Sequence, residues 1–360
     1  MPGEADGPSS RSIIRIDALG AVVDVHGSQD IPLQIRRLIT EAWRDSVADD
    51  SARVSRTLTL ATPVLDDLEG FLSDISTRVT LEALDALRGR RLLLHAAGVA
   101  DERGNVVALI GPSGRGKTTA ARHLGQQFGY VSDETVAVDT DLAVAAYRKP
   151  LSVITAGHHH KLQLAPSELE LRPLPDRPLR LRALTLIERA PHAEDIGPVP
   201  MDTIDAICEM TPQISYLPEL PAPLQHLARL FDAVGAPTRL VYRDATELPT
   251  LVQVMFDSPR PPAQTWAPAP PPTSEGPWRT VDVDDAILVD GRACILRDGI
   301  VTALDQRGRL AWVEARRGAT TEQIAVAAVA EFGEPDDGSA HELITATLEE
   351  LRAHGLIEGA

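Results

Sequence analysis

The sequence predicts an α/β domain followed by a small α+β domain. Three observations lead to this prediction. A phosphate-loop motif lies between a short apolar run and an amphipathic helix, a proline-rich segment spans residues 258–278, and the chain beyond it has the pattern of three short strands followed by three helices. The chain has 360 residues, 43% of them apolar, which is enough to bury more than one core.

The phosphate-loop motif is the stretch GPSGRGKTT at residues 111–119, which satisfies G-x-x-x-x-G-K-S/T. In this motif backbone N–H groups surround phosphate oxygens, the Lys reaches the β- and γ-phosphates, and the hydroxyl coordinates Mg²⁺. The apolar run 106–110 predicts the strand that enters the loop, and the apolar face of residues 117–128 predicts the helix that leaves it. Arg115 could contact phosphate or point to solvent. We therefore predict a nucleotide site formed by Gly111, Ser113, Gly114, Arg115, Gly116, Lys117, Thr118 and Thr119.

Two further features lie close to this loop in the sequence. Residues 92–100 and 106–110 predict a β-hairpin whose second strand enters the loop, and the strand after the loop helix ends in Asp133 and Glu134. A carboxylate at a strand end beside a phosphate loop is expected to bind Mg²⁺ or to act as the catalytic base. His95 lies inside the first hairpin strand, where a hydrogen-bonded core histidine and a catalytic histidine are both open interpretations.

The remaining patterns have less specific interpretations. We interpret residues 1–90 as a scaffold that extends the sheet of the next segment. The run His158–His160 is interpreted as a solvated loop, because adjacent side chains point in different directions and cannot all bind one ion. Arg189 and Arg243 follow predicted strands and could stabilise phosphoryl charge, although surface ion pairs are more common at such positions. Further predicted elements are strands at 13–25, 54–60, 183–189 and 238–242 and helices at 31–43, 81–89, 201–210, 224–234 and 248–256.

Composition excludes several classes of partner and location. The formal net charge of −17 argues against nucleic acid or an anionic membrane as the main partner, because either would require a basic face. Cys208 and Cys294 are too few for a disulfide framework or a Cys-x-x-Cys metal site. The N-terminal residues do not resemble a signal peptide, and no apolar stretch is long enough to span a membrane. The predicted location is the cytoplasm, and self-association is left open.

Residues 258–278 contain eight prolines. Such a segment favours an extended conformation that cannot pack a core, so we predict a spacer with a reach of up to about 60 Å at roughly 3.1 Å per residue. The predicted domains are therefore 1–257, divided into the scaffold 1–90 and a nucleotide-binding core 91–257, and 279–360.

The first domain resembles the HPr kinase/phosphorylase-like kinases, which share a nucleotide-binding fold with phosphoenolpyruvate carboxykinase. The matching residues are His95 with Gly98, GPSGRGKTT at 111–119, and Ser132–Glu134. The resemblance implies ATP and Mg²⁺ as cofactors. It also implies that Asp133 accepts the proton of a seryl hydroxyl, Glu134 helps to hold metal, and His95 lies beside the transferred phosphoryl. The predicted catalytic residues are Asp133, His95 and Lys117, and the predicted metal ligands are Thr118, Asp133 and Glu134. The sequence departs from the family in having Glu134 where Asp is usual, and we find no match to the family's later Glu-x-x-Gly stretch that adds a metal ligand and binds the protein substrate.

The second domain resembles the PqqD-like family, winged-helix modules that recognise the leader peptides of ribosomally made natural products. The phrases LRDGIVTALDQRG and LRAHGLIE, and the two Asp-Gly turns between the predicted strands, carry this resemblance. It implies that a leader adds as a strand beside the third strand and packs on the third helix, within residues 342–352. The predicted leader-binding residues are Ile300, Val301, Thr302, Ala303, Leu304, Leu343 and Thr347. A winged helix could bind DNA, but Glu342, Glu349 and Glu350 on the third helix oppose that.

Together these resemblances predict an ATP- and Mg²⁺-dependent Ser/Thr kinase that phosphorylates a ribosomally made precursor peptide. Attachment of the leader-binding module would raise the local concentration of the peptide at the active site. Two alternatives stay open. The chain could be a nucleotide-binding leader scaffold without transferase activity, or a kinase of small molecules.

Overall fold

The computed structural model describes residues 10–63, 67–112, 116–154, 161–273 and 276–359. It is a mixed α/β structure in which parallel and antiparallel strands share sheets. The chain divides into two units by its contacts. Unit 1 contains 1–199, 213–216 and 238–260, and unit 2 contains 200–212, 217–237 and 261–360. The division at 260 lies close to the predicted end of the first domain, but residues 200–212 and 217–237 group with the C-terminal segment.

The strands and helices are numbered in chain order. The strands are β1 (Arg11–Ala18), β2 (Ala21–Gly27), β3 (Val54–Leu60), β4 (Leu92–Leu94), β5 (Ala96–Ala100), β6 (Asn105–Ile110), β7 (Gly129–Ser132), β8 (Val136–Val138), β9 (Val144–Ala145), β10 (Leu151–Ile154), β11 (Lys161–Leu164), β12 (Arg180–Arg189), β13 (Gly197–Pro200), β14 (Ile214–Ser215), β15 (Thr238–Tyr242), β16 (Trp266–Pro268), β17 (Trp278–Thr280), β18 (Asp285–Val289), β19 (Arg292–Arg297), β20 (Ile300–Leu304) and β21 (Ile357–Gly359). The helices are α1 (Leu33–Ala42), α2 (Leu68–Leu87), α3 (Lys117–Gly125), α4 (Thr203–Met210), α5 (Pro223–Val234), α6 (Leu248–Asp257), α7 (Gln306–Arg316), α8 (Thr321–Phe332) and α9 (Ala340–Ala353).

A six-stranded sheet with the order β13-β15-β12-β6-β5-β7 forms the centre of unit 1. Strands β6, β12 and β15 are parallel, whereas β5 is antiparallel to both β6 and β7. Helix α3 packs its apolar face, including Leu124, into a core that also contains Leu109 and Leu240. The predicted hairpin into the phosphate loop is confirmed as β5–β6. Its turn is closed by the Asp101 carboxylate, which accepts from the backbone N–H groups of Arg103 and Asn105.

The N-terminal segment forms a sheet of its own, β1-β2-β3. The expectation that this scaffold extends the neighbouring sheet is therefore wrong. The reason is that α1 and α2 supply the cover for its apolar side chains: Ile16 and Val23 share a buried cluster with Ile39 of α1 and Val79 of α2. With its face covered by these helices, the small sheet buries its apolar side chains without joining the neighbouring sheet, in a cluster that also includes Leu93, Ala137 and Tyr147.

Unit 2 contains a four-stranded sheet with the order β16-β18-β19-β20. Both predicted Asp-Gly turns are confirmed, because Asp290, Gly291, Asp298 and Gly299 all have positive φ, as a type I′ hairpin turn requires. The side chains 293–296 of β19 are all fully buried, which requires cover on both faces of the strand.

The two faces of β19 have different cover. Ile295 belongs to a core formed with α7, α8 and α9. The thiol of its neighbour Cys294 hydrogen-bonds to Cys208 of α4, and α5 also contacts β18 and β19. Both cysteines are free thiols. The sheet of unit 2 is therefore completed by helices from the middle of the chain.

The proline-rich segment is not the free spacer that its composition suggested. Trp266–Pro268 pairs antiparallel with β18, and the backbone N–H of Ala269 continues this ladder to the carbonyl of Ala286. The Trp266 indole donates to Asp232 of α5 at 2.8 Å, with the Arg229 guanidinium 6.0 Å from its ring. Proline is tolerated in an edge strand, and the tryptophan provides the side-chain anchor.

No helix in the described parts of the chain has both the length and the apolar character needed to cross a membrane.

The anchoring of the proline-rich segment can be tested at Trp266. Trp266→Ala should destabilise unit 2 by about 1–2 kcal/mol, because it loses ring burial and the hydrogen bond to Asp232, while Trp266→Phe should lose only about 0.5–1 kcal/mol. Hydrogen exchange of 266–268 and 285–289 measures this. Exposed Pro271→Ala is the control and should change stability by less than about 0.5 kcal/mol. Equal hydrogen-exchange rates in the wild type, the two Trp266 variants and Pro271→Ala would contradict the anchoring of this strand by Trp266.

Candidate functional site

The directions of the strands bring the predicted site residues to one edge of the six-stranded sheet. Strands β6 and β7 run in the same direction because each is antiparallel to β5. The phosphate loop after β6 and the carboxylates after β7 therefore meet at the edge where β5 begins. His95 immediately precedes β5 and so lies at this edge too. The predicted single strand over 92–100 is divided at His95: β4 pairs with β8 and β14, and β5 joins the larger sheet.

The two ends of the phosphate loop are described, whereas Ser113, Gly114 and Arg115 lie outside the described residues. A Cβ on Gly111 would meet the Ile187 side chain at 3.0 Å, so a larger residue here would require Ile187 of β12 to shift. Gly116 has φ +87° at the start of α3, a left-handed conformation that favours glycine. Thr118 and Thr119 are exposed on the first turn of α3.

Lys117 is 7% exposed, and its ammonium donates to the carbonyl of Gly111. Burial lowers the pKa of Lys117, and the charges of Glu134 and Asp133 oppose that shift. An ammonium held at the mouth of the loop can bind phosphate oxygens.

The turn after β7 holds the two carboxylates. The buried Ser132 hydroxyl accepts from the backbone N–H groups of Glu134 at 3.2 Å and Thr135 at 3.1 Å, which fixes the turn locally. Asp133 is 7% exposed and its Oδ1 accepts from the Tyr130 hydroxyl at 3.1 Å. Burial raises the pKa of Tyr130 well above its usual value, and the Asp133 charge adds to the shift, so this hydroxyl keeps its proton and remains a donor.

The structure adds a residue that the sequence interpretation missed. Lys149 is 8% exposed, and its Nζ lies 3.2 Å from Glu134 Oε2 and 3.7 Å from Asp133 Oδ1. It reaches the site because its segment runs beside β7, where the Tyr147 N–H donates to the carbonyl of Val131. Burial lowers the pKa of Lys149, but the two carboxylates outweigh burial and raise it, so the side chain is cationic. The signal in the sequence was an Arg-Lys pair inside the otherwise uncharged stretch 143–154.

His95 is half-buried between these charges. Its pKa is lowered, first by burial and then by Lys117, and Glu134 opposes the shift. The imidazole is therefore neutral at pH 7 and can donate or accept one hydrogen bond. The main chain holds it on both sides: the His95 N–H donates to Gln213 at 2.7 Å, and the Ala96 N–H donates to the Glu134 carbonyl at 3.1 Å.

The donors at this edge fit Mg²⁺ bound together with a nucleotide. No cluster of three or more His, Cys, Asp or Glu side chains suited to a metal ion occurs in the described residues. Mg²⁺ at nucleotide sites is commonly held by one or two carboxylates and by substrate phosphates. Asp133, Glu134 and the Thr118 hydroxyl supply that kind of donor set, and the phosphates would complete it.

Two of the remaining sequence candidates, Arg189 and Arg243, lie at the surface. Arg243 pairs with Glu247 at 3.0 Å, which confirms its interpretation as a surface ion pair, and Arg189 donates to the Arg243 carbonyl at 3.3 Å. His158–His160 lies outside the described residues.

Five of the seven predicted leader-binding residues line two separate grooves of unit 2. Thr302, Ala303 and Leu304 line a groove of about 410 Å³ with Thr347 of α9. Leu343 instead lines a groove of about 640 Å³ between α8 and α9. Strand β20 is the outer strand of its sheet in the described part of the chain, and Ile300 at its start is 68% exposed. An outer strand next to a helix can accept an extended peptide.

No family model and no curated protein sequence matches this chain. Among solved structures, the chain is similar to the Hpr(Ser) kinase/phosphatase from Coxiella burnetii. The sequence identity is 10%, the match covers 46% of this chain and 93% of that chain, and the TM-score is 0.28.

The environment of His95 predicts how stability depends on pH. Because the folded pKa lies below the unfolded value of 6.5, the unfolded state binds more protons below pH 6.5. The stabilisation that the neutral His95 gives to the folded state is fully present above pH 6.5 and is lost as the pH falls through the folded pKa. Unfolding free energies of His95→Gln should therefore fall less steeply below pH 6.5 than those of the wild type. Exposed His192→Gln serves as the control and should keep the wild-type slope; an unchanged slope in His95→Gln would contradict the buried, neutral imidazole.

Proposed function

We propose that the protein transfers the γ-phosphoryl group of ATP, with Mg²⁺, to a Ser or Thr hydroxyl of a ribosomally made precursor peptide. The observation that carries this proposal is the meeting of Lys117 and the buried Asp133 at one sheet edge. A phosphate-binding ammonium and a buried carboxylate in one place are the two groups that phosphoryl transfer to a hydroxyl needs most.

Each residue has a role in this reaction. Lys117 and the loop N–H groups hold the β- and γ-phosphates, and Mg²⁺ when bound neutralises phosphate charge beside Thr118, Asp133 and Glu134. Asp133 accepts the hydroxyl proton as the oxygen bonds to the γ-phosphorus and the bond to the bridging oxygen breaks, which releases ADP. Both contacts of Asp133, to Tyr130 and to Lys149, are made by Oδ1, so the substrate hydroxyl is expected at Oδ2.

His95 acts as a supporting group in the proposal. A neutral imidazole beside Lys117 can hydrogen-bond to an oxygen of the transferred phosphoryl without adding charge.

The choice of a peptide substrate rests on the resemblance of residues 279–360 to leader-binding modules and is supported by the groove between β20 and α9. A peptide added to β20 would make backbone hydrogen bonds with the outer strand and place side chains against Thr347.

The alternative is a nucleotide-binding leader scaffold without transferase activity. Incubation of the full chain with ATP and a short peptide encoded beside its gene separates the two: transfer adds about 80 Da, one phosphoryl group, whereas a scaffold binds the peptide without a change in mass.

Asp133→Asn tests the catalytic base. Phosphoryl transfer should fall by about 10²–10⁴-fold because the proton acceptor is lost, while binding of metal-free ATP should be retained because Lys117 and the loop still hold the phosphates. Exposed Asp50→Asn is the matched control and should keep the wild-type rate. A wild-type rate of phosphoryl transfer in Asp133→Asn would contradict the proposed mechanism.

Ala303→Tyr tests the peptide groove. A bulky side chain at this exposed position should fill the groove beside Thr347 and raise the Kd for the leader by about 10-fold or more, while ATP binding is kept. Val326→Tyr, at a position that is 63% exposed on α8, is the control. A rate of phosphoryl transfer that is the same in Ala303→Tyr and in the wild type would favour a small-molecule kinase. Point variants are preferable to deletion of 279–360, because α4 and α5 contact the sheet that the deletion removes.

A further inference from the structure

Among the residues that the structure describes, Lys149 is the one group that contacts both site carboxylates and has no role in the proposed function. Its ammonium lies within 4 Å of an oxygen of each, at 3.2 Å from Glu134 and 3.7 Å from Asp133. The contacts are not surface ion pairs, since Lys149 and Asp133 are both buried and Glu134 is half-buried.

Two adjacent carboxylates repel each other, and a cation placed between them offsets that repulsion. Screening by solvent is weaker at a buried position than at the surface, so we expect the offsetting charge to come from side chains of the site. Lys117 also faces the carboxylates, but its ammonium is bonded to the Gly111 carbonyl at the phosphate loop. In the described residues, Lys149 is the cation in direct contact with both acidic side chains.

We propose that Lys149 takes the place of a divalent cation between Asp133 and Glu134 until the metal–nucleotide complex binds. Binding of that complex then breaks the contact between Lys149 and Glu134. This inference rests on the proposed function. Lys149 is thus a positioning residue: its contacts with both carboxylates hold them turned toward one point. The same charge competes with the metal, so without nucleotide the site has a reduced affinity for divalent cations.

Removing the Lys149 charge should increase the affinity for Mn²⁺, which the loss of a merely structural lysine would not do. Lys149→Met keeps the length of the side chain and removes its charge, so Mn²⁺ should bind more tightly than to the wild type, by roughly tenfold or more for a unit charge removed within 4 Å. Lys149→Arg keeps the charge and should stay close to the wild type. Turnover in Lys149→Met should fall, because Asp133 loses its fixed position.

The experiment measures Mn²⁺ binding to the full chain without nucleotide, from the electron paramagnetic resonance signal of free Mn²⁺. A chain of formal charge −17 also binds Mn²⁺ at surface carboxylates, so the double variant Asp133→Asn/Glu134→Gln supplies the background to subtract. If Lys149→Met is unfolded without metal, Mn²⁺ should restore its folding, because the ion would replace the missing ammonium.

Tighter Mn²⁺ binding by Lys149→Met, or its rescue by Mn²⁺, supports the inference. Unchanged or weaker binding, or an unfolded variant that Mn²⁺ does not rescue, overturns it. None of these readouts needs a peptide or phosphoryl transfer. A wild-type chain that transfers no phosphoryl group would overturn the proposed function and leave the Mn²⁺ result to be judged separately.

Discussion

The ladder between β5 and β7 joins the two halves of the candidate site. Strand β5 is antiparallel to both β6 and β7, and so the phosphate loop and the acidic turn leave the sheet at the same edge. Gly98 lies in this ladder opposite Ser132, where a Cβ would approach Val136 to 2.8 Å. A slip of this pairing would move Ser132, whose hydroxyl fixes the acidic turn, away from the loop. The relative position of Lys117 and Asp133 thus depends on the backbone pairing of β5 with β6 and β7.

The second constraint is the balance of charges at the buried candidate site. Lys117, Lys149, Asp133 and Glu134 form a set of two cations and two anions, with a neutral His95 beside them. Buried charges persist only when they are paired and hydrogen-bonded. Removing one charge therefore affects the others. For this reason variants at the site have to be compared with charge-conserving controls.

Unit 2 depends on a different constraint, the cover of both faces of β19. Helices α7 to α9 follow this strand in the sequence, whereas α4 and α5 precede it by about 60 to 90 residues. The chain passes between the two units at residues 199, 212, 216, 237 and 260. The proposed peptide-binding groove thus belongs to a unit made from three separate segments, which differs from a module attached through a single flexible spacer.

Much of the local structure was predictable from the sequence because it depends on short-range physics. The motif at 111–119, the Asp-Gly turns and the apolar periodicities predicted the strand into the loop, α3, the β18–β20 hairpins and most helices, and the strand end at Ser132 predicted where Asp133 would lie. The unpredicted features are long-range. The separate N-terminal sheet, the strand at Trp266 and the placement of Lys149 beside two carboxylates depend on which segments meet in three dimensions, and a lysine 15 residues beyond Glu134 has no local pattern that marks its partner. The sequence by itself determined the loop, the acidic turn and their chemistry, because these depend on residue type and spacing; only the tertiary structure decided how their charges are balanced, because that depends on burial and on contacts between distant segments.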